Sequence, residues 1–234
     1  MQLRLIDTSI SPPGARTVHP CSMLVLGFQY QGRLERANGK AWENLAPAGI
    51  TGLQSVSRTF RQMGPTGTVL AYVPPEEFLG SDLPASELTE RSVSLEFLFA
   101  SGRLKQLHEQ LEGAHSAAER ISLVGDLLAE RQPRRSSAVV RLAANLIRTR
   151  GRVSGKELSR LTGLGTRQLQ RLFLTHIGIS PMEFARLVRF ERSIERIRSV
   201  GVSAGAEEYA DQAHMSHDIK QRTGLTPGQL RSQI

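Results

Sequence analysis

The strongest constraint on this chain is a pattern that occurs twice near its C-terminal end. His176-Ile177-Gly178-Ile179-Ser180-Pro181-Met182-Glu183-Phe184 aligns with Arg222-Thr223-Gly224-Leu225-Thr226-Pro227-Gly228-Gln229-Leu230. One offset sets Gly on Gly and Pro on Pro. Carried upstream, it sets Leu169 on Met215 and Phe173 on Ile219. A Gly that ends one helix, a Ser or Thr that caps the next and a Pro at its first position form a stop–start signal. Two such signals, each behind an amphipathic segment, predict two equivalent helical units.

The first unit is the fuller one. Ser154-Gly155-Lys156-Glu157 is a capping box, followed by Leu158 and Leu161, with Gly163 at the turn. Beyond the turn, Leu169, Leu172, Phe173 and Ile177 recur at helical spacing and form an inward face. Arg167, Gln170, Arg171 and Leu174 recur on another side. Arg and Gln make paired hydrogen bonds to guanine and adenine edges in the DNA major groove, so this outer face has the chemistry of a recognition helix. Ser180-Pro181-Met182-Glu183 is a second capping box. It opens a long helix to about Arg198, apolar at Phe184, Leu187, Val188, Ile194 and Ile197 and lined by Arg186, Arg189, Arg192 and Arg196. In the second unit, residues 211–222 give a second candidate recognition helix, with Gln212, His214, Ser216, His217 and Lys220 outward. Before both units, residues 137–149 form a helix with a broad apolar face, stopped by Gly151.

Charge follows the same division. Residues 134–234 hold 18 Lys and Arg against 8 Asp and Glu, whereas residues 1–133 hold 12 against 14. The formal excess of +8 therefore belongs to the C-terminal part, which points to a polyanionic partner. Cys21 is the sole cysteine, which excludes an intramolecular disulfide and a Cys-based metal motif and fits a cytoplasmic protein. The N-terminus, with Arg4 and Asp7, is not a signal peptide, and the longest apolar stretch, residues 23–28, is too short to span a membrane.

The N-terminal part reads as β-rich to about residue 75 and helical beyond. Residues 23–30 form a buried strand, Ala37-Asn38-Gly39 a hairpin turn, and residues 40–45, with Trp42 as a core anchor, the return strand. Further strands are expected within 53–60 and at 68–73, the latter ended by Pro74-Pro75, with a turn at Gly64-Pro65-Thr66-Gly67. Short helical pieces are expected at 76–80 and 85–90. Leu95, Leu98, Leu104, Leu107 and Leu111 sit at helix-like spacings, and 116–130 is an amphipathic helix. The polar, Pro-containing stretch 131–137 is the expected linker. No catalytic constellation stands out. His19 and Cys21 lack further spaced ligands for a metal. Glu76-Glu77 reads as a solvated helix start rather than an acid–base pair. No cofactor, metal or enzyme activity is expected, and a metal-dependent enzyme in the first part would need a spaced His/Glu set that is missing.

The C-terminal arrangement resembles the DNA-binding domain of the AraC/XylS family of bacterial transcription regulators. The specific pieces are Arg-Gln-Leu-Gln-Arg-Leu-Phe at 167–173, Gly-Ile-Ser-Pro at 178–181, and Tyr-Ala-Asp-Gln-Ala-His-Met at 209–215 running into Thr-Gly-Leu-Thr-Pro at 223–227. The resemblance implies seven helices in two helix-turn-helix units joined by a long central helix. Each recognition helix would sit in a major groove. It makes Arg167, Gln170 and Arg171 base-reading positions and places His214 and His217 among those of the second unit. A weaker resemblance to the sensor regions of such regulators rests on residues 78–95. Such regions bind small effectors or mediate dimerisation. The chain departs from the family at Gly165, where Ser usually caps the recognition helix and Thr166 is expected to take over. It departs also at 201–208, a short stretch with two glycines and no apolar face, and at His217, usually Arg.

The expected fold is α+β. A sensor or dimerisation domain at 1–133, a small antiparallel β domain with helices, precedes an all-α double helix-turn-helix domain at 134–234. The expected function is sequence-specific, effector-responsive transcription regulation. The DNA-binding residues are Thr166, Arg167, Gln170, Arg171, Gln212, His214, Ser216, His217 and Lys220. The partner is double-stranded DNA, with RNA polymerase, a small-molecule effector and a second copy as further candidates. The alternative is a regulator working through protein contacts with weakened DNA binding, motivated by 201–208.

Overall fold

The computed structural model describes residues 3–11, 14–78, 84–130 and 137–233. Their N-terminal part is an antiparallel sheet built on two long strands, β3 (Leu24–Asn38) and β6 (Arg58–Val73). β1 (Arg4–Ser11) and β2 (Gly14–Val18) lie end to end along the outer edge of β6. β4 (Ala41–Asn44) and β5 (Ala48–Thr51) do the same along β3, and β7 (Ser92–Ser94) pairs with β5. Strand alternation divides the residues between two faces. Leu24, Leu26, Phe28 and Tyr30 of β3 and Val69, Ala71 and Val73 of β6 are buried on one face. Three helices follow: α1 (Pro75–Phe78), α2 (Ser101–Gly113) and α3 (Ala117–Glu130). Leu104, Leu107 and Leu111 of α2 and Val124, Leu127 and Leu128 of α3 close that face. The opposite face curls around a cavity of about 440 Å³.

Several expectations change here. The first eighteen residues contribute strands that their pattern does not announce. The hairpin turn falls on Gly39-Lys40, because Asn38 still pairs with Ala41. Gly64-Pro65-Thr66-Gly67 is not a turn but part of β6. Gln31 faces Gly67 and Arg33 faces Met63, so three residues of β6 oppose Gly32 alone. That bulge places Gly32 at φ +68° and Gly64 at φ +88°, and it tolerates Pro65, which has no N–H for a ladder. Trp42 is no core anchor: it is half-buried, with the Arg61 guanidinium 4.3 Å above its ring. Glu76 is not solvated. It is buried and paired with Arg148, whose Nη2 lies 3.2 Å from Glu76 Oε2. The expected linker lies outside the described residues except for Ser137, and so do residues 79–83.

The C-terminal part contains α4 (Ala138–Arg150), α5 (Gly155–Thr162), α6 (Thr166–His176), α7 (Pro181–Ser199), α8 (Val202–Gly205), α9 (Gln212–Thr223) and α10 (Pro227–Gln233). The capping signals act as their chemistry requires. The hydroxyls of Ser137, Ser154 and Ser180 accept from the amides of Val140, Glu157 and Glu183. α7 belongs to two cores. Phe184, Leu187 and Val188 pack with Val140, Ile147, Leu158, Leu169 and Phe173. Phe190, Ile194 and Ile197 pack with Tyr209, Met215, Ile219 and Leu230.

The expected strand over 53–60 begins only at Arg58, because residues 52–57 leave the sheet to dock on the helices. Leu53, 2 % exposed, belongs to the first helical core. The Ser57 amide donates to Arg222 O at 2.7 Å, and Arg222 Nη1 donates to Ser55 O at 3.1 Å. The segment is anchored at its base by Glu90, which accepts from Ser55 N at 2.5 Å and pairs with Arg58. Burial works against the Glu90 carboxylate, but these hydrogen bonds outweigh it and hold its pKa below the ordinary range. Leu53→Ala should lower stability by about 2–5 kcal/mol, as buried Leu truncations do. Val56→Ala, on the exposed side of the same segment, should stay within about 0.5 kcal/mol. Chemical denaturation checks both, and equal effects would show that Leu53 does not anchor the segment.

Candidate nucleic-acid interface

The turn between α5 and α6 is made by Gly163 at φ +70° in the left-handed region. Leu169 and Phe173 are buried, and Phe173 meets Phe184 edge-on at 6.1 Å between centroids. That packing fixes the rotation of α6. Arg167, Gln170, Arg171 and Leu174 are consequently exposed, with Thr166 at the start of the same helix. Gly165, not Thr166, is the N-cap, and no side chain caps the helix. The Thr166 hydroxyl lies instead 3.2 Å from Ser159 Oγ, so the expected takeover of the cap does not occur.

α9 repeats this geometry. Met215 and Ile219, the counterparts of Leu169 and Phe173, are both fully buried. Gln212, His214, His217 and Lys220 are exposed and Ser216 is half-exposed. Asp211 caps the helix, accepting from His214 N at 2.7 Å. Behind α9 a buried polar cluster sits beside the apolar core. Tyr209 OH donates to Asp218 Oδ2 at 2.6 Å, and Arg222 Nε donates to Asp218 Oδ1 at 3.1 Å. Burial, with Asp218 beside it, pushes the Tyr209 pKa strongly upward, so the phenol keeps its proton and remains a donor.

Residues 201–208 are short, as expected, but they are packed. They form one turn of α8 and a 3-10 turn at Ala206–Glu208. A Cβ on Gly205 would collide with Ile197 and Ser193 of α7, so glycine here permits contact rather than weakening the helix. Ser193 Oγ donates to Gly205 O at 3.0 Å. Arg152 Nε donates to Glu208 O at 3.2 Å, and the buried Glu208 carboxylate lies 3.3 Å from Arg196 Nε and 3.5 Å from Arg192 Nε.

These pairings redistribute the basic charge. Arg148, Arg192, Arg196 and Arg222 are occupied by internal carboxylates, and Arg189 sits 4.9 Å over the Tyr209 ring. Among the described residues of the helical part, Lys156, Arg160, Arg167, Arg171, Lys220 and Arg231 are exposed with no acidic partner, and Arg152 is bonded to backbone carbonyls alone. Lys156 and Arg160, on α5, were not singled out by sequence, because isolated basic residues in a helix carry no signal by themselves. No group of three His, Cys, Asp or Glu residues suited to a metal occurs among the described residues. His19 Nδ1 is instead 2.8 Å from Ser57 Oγ, and the Cys21 thiol is 3.4 Å from Met23 O. No helix among the described residues is long and apolar enough to cross a membrane.

Residues 158–233 match a family model described as a helix-turn-helix domain. ToxT structures share the fold at low identity. ToxT from Vibrio cholerae matches at 8% identity with a TM-score of 0.55, over 100% of this chain and 98% of that one. The unsaturated fatty acid-bound form of ToxT matches at 7% identity and a TM-score of 0.52, over 99% and 95%. The C-terminal domain of AraT, a response regulator from Geobacillus stearothermophilus, matches at 23% identity and a TM-score of 0.39, over 42% and 87%. No curated protein sequence matches significantly. Residues 158–233 are thus a helix-turn-helix domain, and the structure gives it two such units, α5–α6 and α8–α9.

Tyr209→Phe removes one hydrogen bond to a buried carboxylate and should cost about 1–3 kcal/mol. Hydrogen exchange should show lost protection in α9 and none in α6. Unchanged protection in α9 would mean that the Tyr209–Asp218 pair does not hold the second unit.

Proposed function

We propose that the chain is a sequence-specific, effector-responsive transcription regulator, with residues 1–133 as the sensing part and 134–234 as the DNA-binding part. The observation that carries this reading is the outer face of α6, where Arg167, Gln170 and Arg171 stand exposed, close together and without acidic partners. Arg reads guanine O6 and N7, and Gln reads adenine N6 and N7. Lys156, Arg160 and Lys220 supply phosphate contacts, which position the protein without reading sequence. On α9, Gln212, His214, Ser216 and His217 add base or backbone contacts at a second groove. The packing of residues 201–208 favours two DNA-binding units over a platform for protein contacts alone. Support for an effector is twofold: the cavity on the sheet's curled face, and the fatty acid-bound state of a protein with the same fold.

Arg171→Ala should weaken binding to the preferred site by about 1–3 kcal/mol and relax preference at one base position. Lys220→Ala should weaken binding to all sequences alike and reduce the salt slope by about one. Quantitative binding to a set of single-base site variants distinguishes the two patterns. Wild-type preference retained in Arg171→Ala would remove α6 as the reading element.

A further inference from the structure

The sheet cavity has an asymmetric wall. Its floor is apolar, with Val25, Leu34, Leu70 and Val93 among the lining residues. Its mouth carries arginines from three adjacent strands. The register sets Arg16 of β2 and Arg36 of β3 directly opposite Phe60 of β6, one on each side. Directly opposed residues point to the same face, so Arg16, Phe60 and Arg36 form one row on the cavity side of the sheet. Arg58 lies two residues further along β6, a diagonal neighbour of Arg16 at about 7–8 Å. All three line the cavity, against one lining carboxylate, Glu43.

The other titratable groups in the wall carry no charge at neutral pH. Burial pushes the Cys21 thiol up to about 12 and raises the Tyr72 phenol. Burial, with Arg198 beside it, lowers the His19 pKa. Arg36 is held by Glu43 at 2.8 Å and Arg58 by Glu90 at 2.5 Å. Arg16 has no ion-pair or hydrogen-bond partner among the described residues. The uncompensated charge of the cavity is therefore one guanidinium at the edge of an apolar chamber.

The geometry points to an apolar small molecule with a single carboxylate head as the occupant, its chain in the cavity and its head on Arg16. This deepens the effector part of the proposed function and rests on it for its regulatory meaning. Its consequence runs through Arg58. A carboxylate on Arg16 lies within reach of Arg58 and competes with Glu90 for it. Glu90 is the residue that also holds Ser55 N, and Arg58 Nε donates to Gln54 Oε1 at 2.8 Å. Weakening that anchor loosens residues 54–57, whose other side is bonded to Arg222 of α9. Occupancy of the cavity thus acts on the second helix-turn-helix unit without touching it.

The test uses the full chain without DNA. Dodecanoic acid, dodecan-1-ol and dodecylamine are titrated calorimetrically, below their aggregation concentrations, into wild type, Arg16→Ala and Arg16→Glu. Wild type should bind the acid at least tenfold more tightly than the alcohol. Arg16→Ala should lose about tenfold for the acid and nothing for the alcohol, and Arg16→Glu should prefer the amine. Arg16 is exposed, so these variants should melt as wild type does. Equal binding of acid and alcohol, or acid binding unchanged in Arg16→Ala, would overturn the assignment. So would no binding of the acid at all. In the same samples, amide exchange at Ser55 and Ser57 should accelerate on acid binding in wild type and not in Arg16→Ala, and unaltered exchange would overturn the route to α9. Failure of DNA binding in a separate assay would sink the regulatory reading and leave an Arg16-dependent acid site standing.

Discussion

The structure depends on a six-residue excursion from the sheet. Residues 52–57, the β5–β6 connection, leave the sheet and place Leu53 in the core of the first helix-turn-helix unit. A few residues later they exchange backbone and side-chain hydrogen bonds with Arg222 of the second. Arg222 is itself buried and held by Asp218 and, at 3.5 Å, by Glu183 at the start of α7. A charge so buried is costly unless every donor is used, so its partners constrain one another's positions. Thr89 adds a second bridge, donating to Gly178 O at 3.0 Å in the stop–start signal between α6 and α7. The sheet therefore reaches into both units at the points where their helices begin or end.

Within the helical part, α7 does the joining. Its first half completes one core and its second half the other, so α6 and α9 are oriented by the same rigid element. The arginines along α7 serve that architecture more than they serve DNA. Arg192 and Arg196 hold the short helix before α9, and Arg189 covers Tyr209. The exposed basic residues without acidic partners are a smaller set on α5, α6, α9 and α10.

Much of the helical part was legible because its signals are local. Capping serines, a left-handed glycine and apolar spacing act within a few residues, and the repeat carried them from one unit to the other. Leu169 and Phe173 and their counterparts Met215 and Ile219 were placed inward by periodicity alone, and that fixed the outward faces. Glu208, Gly205 and Asp218 were opaque because their value lies in partners far along the chain. A glycine that looks like a weakness reveals its purpose only once Ser193 and Ile197 stand beside it. The sheet was read least well for the same reason. Residues 53–57 resemble a strand, yet their partner is a helix end more than 160 residues away. The row of Arg16, Phe60 and Arg36 exists only through pairing register.

The most direct measurement is selection of bound sites from random duplex DNA by the full chain. Two short sub-sites about 10–10.5 base pairs apart, centre to centre, are expected, one for each recognition helix held by α7. The sub-site read by Arg167, Gln170 and Arg171 should be the more sharply defined. Enrichment of a single short site, or of none, would contradict a frame in which both units address DNA together.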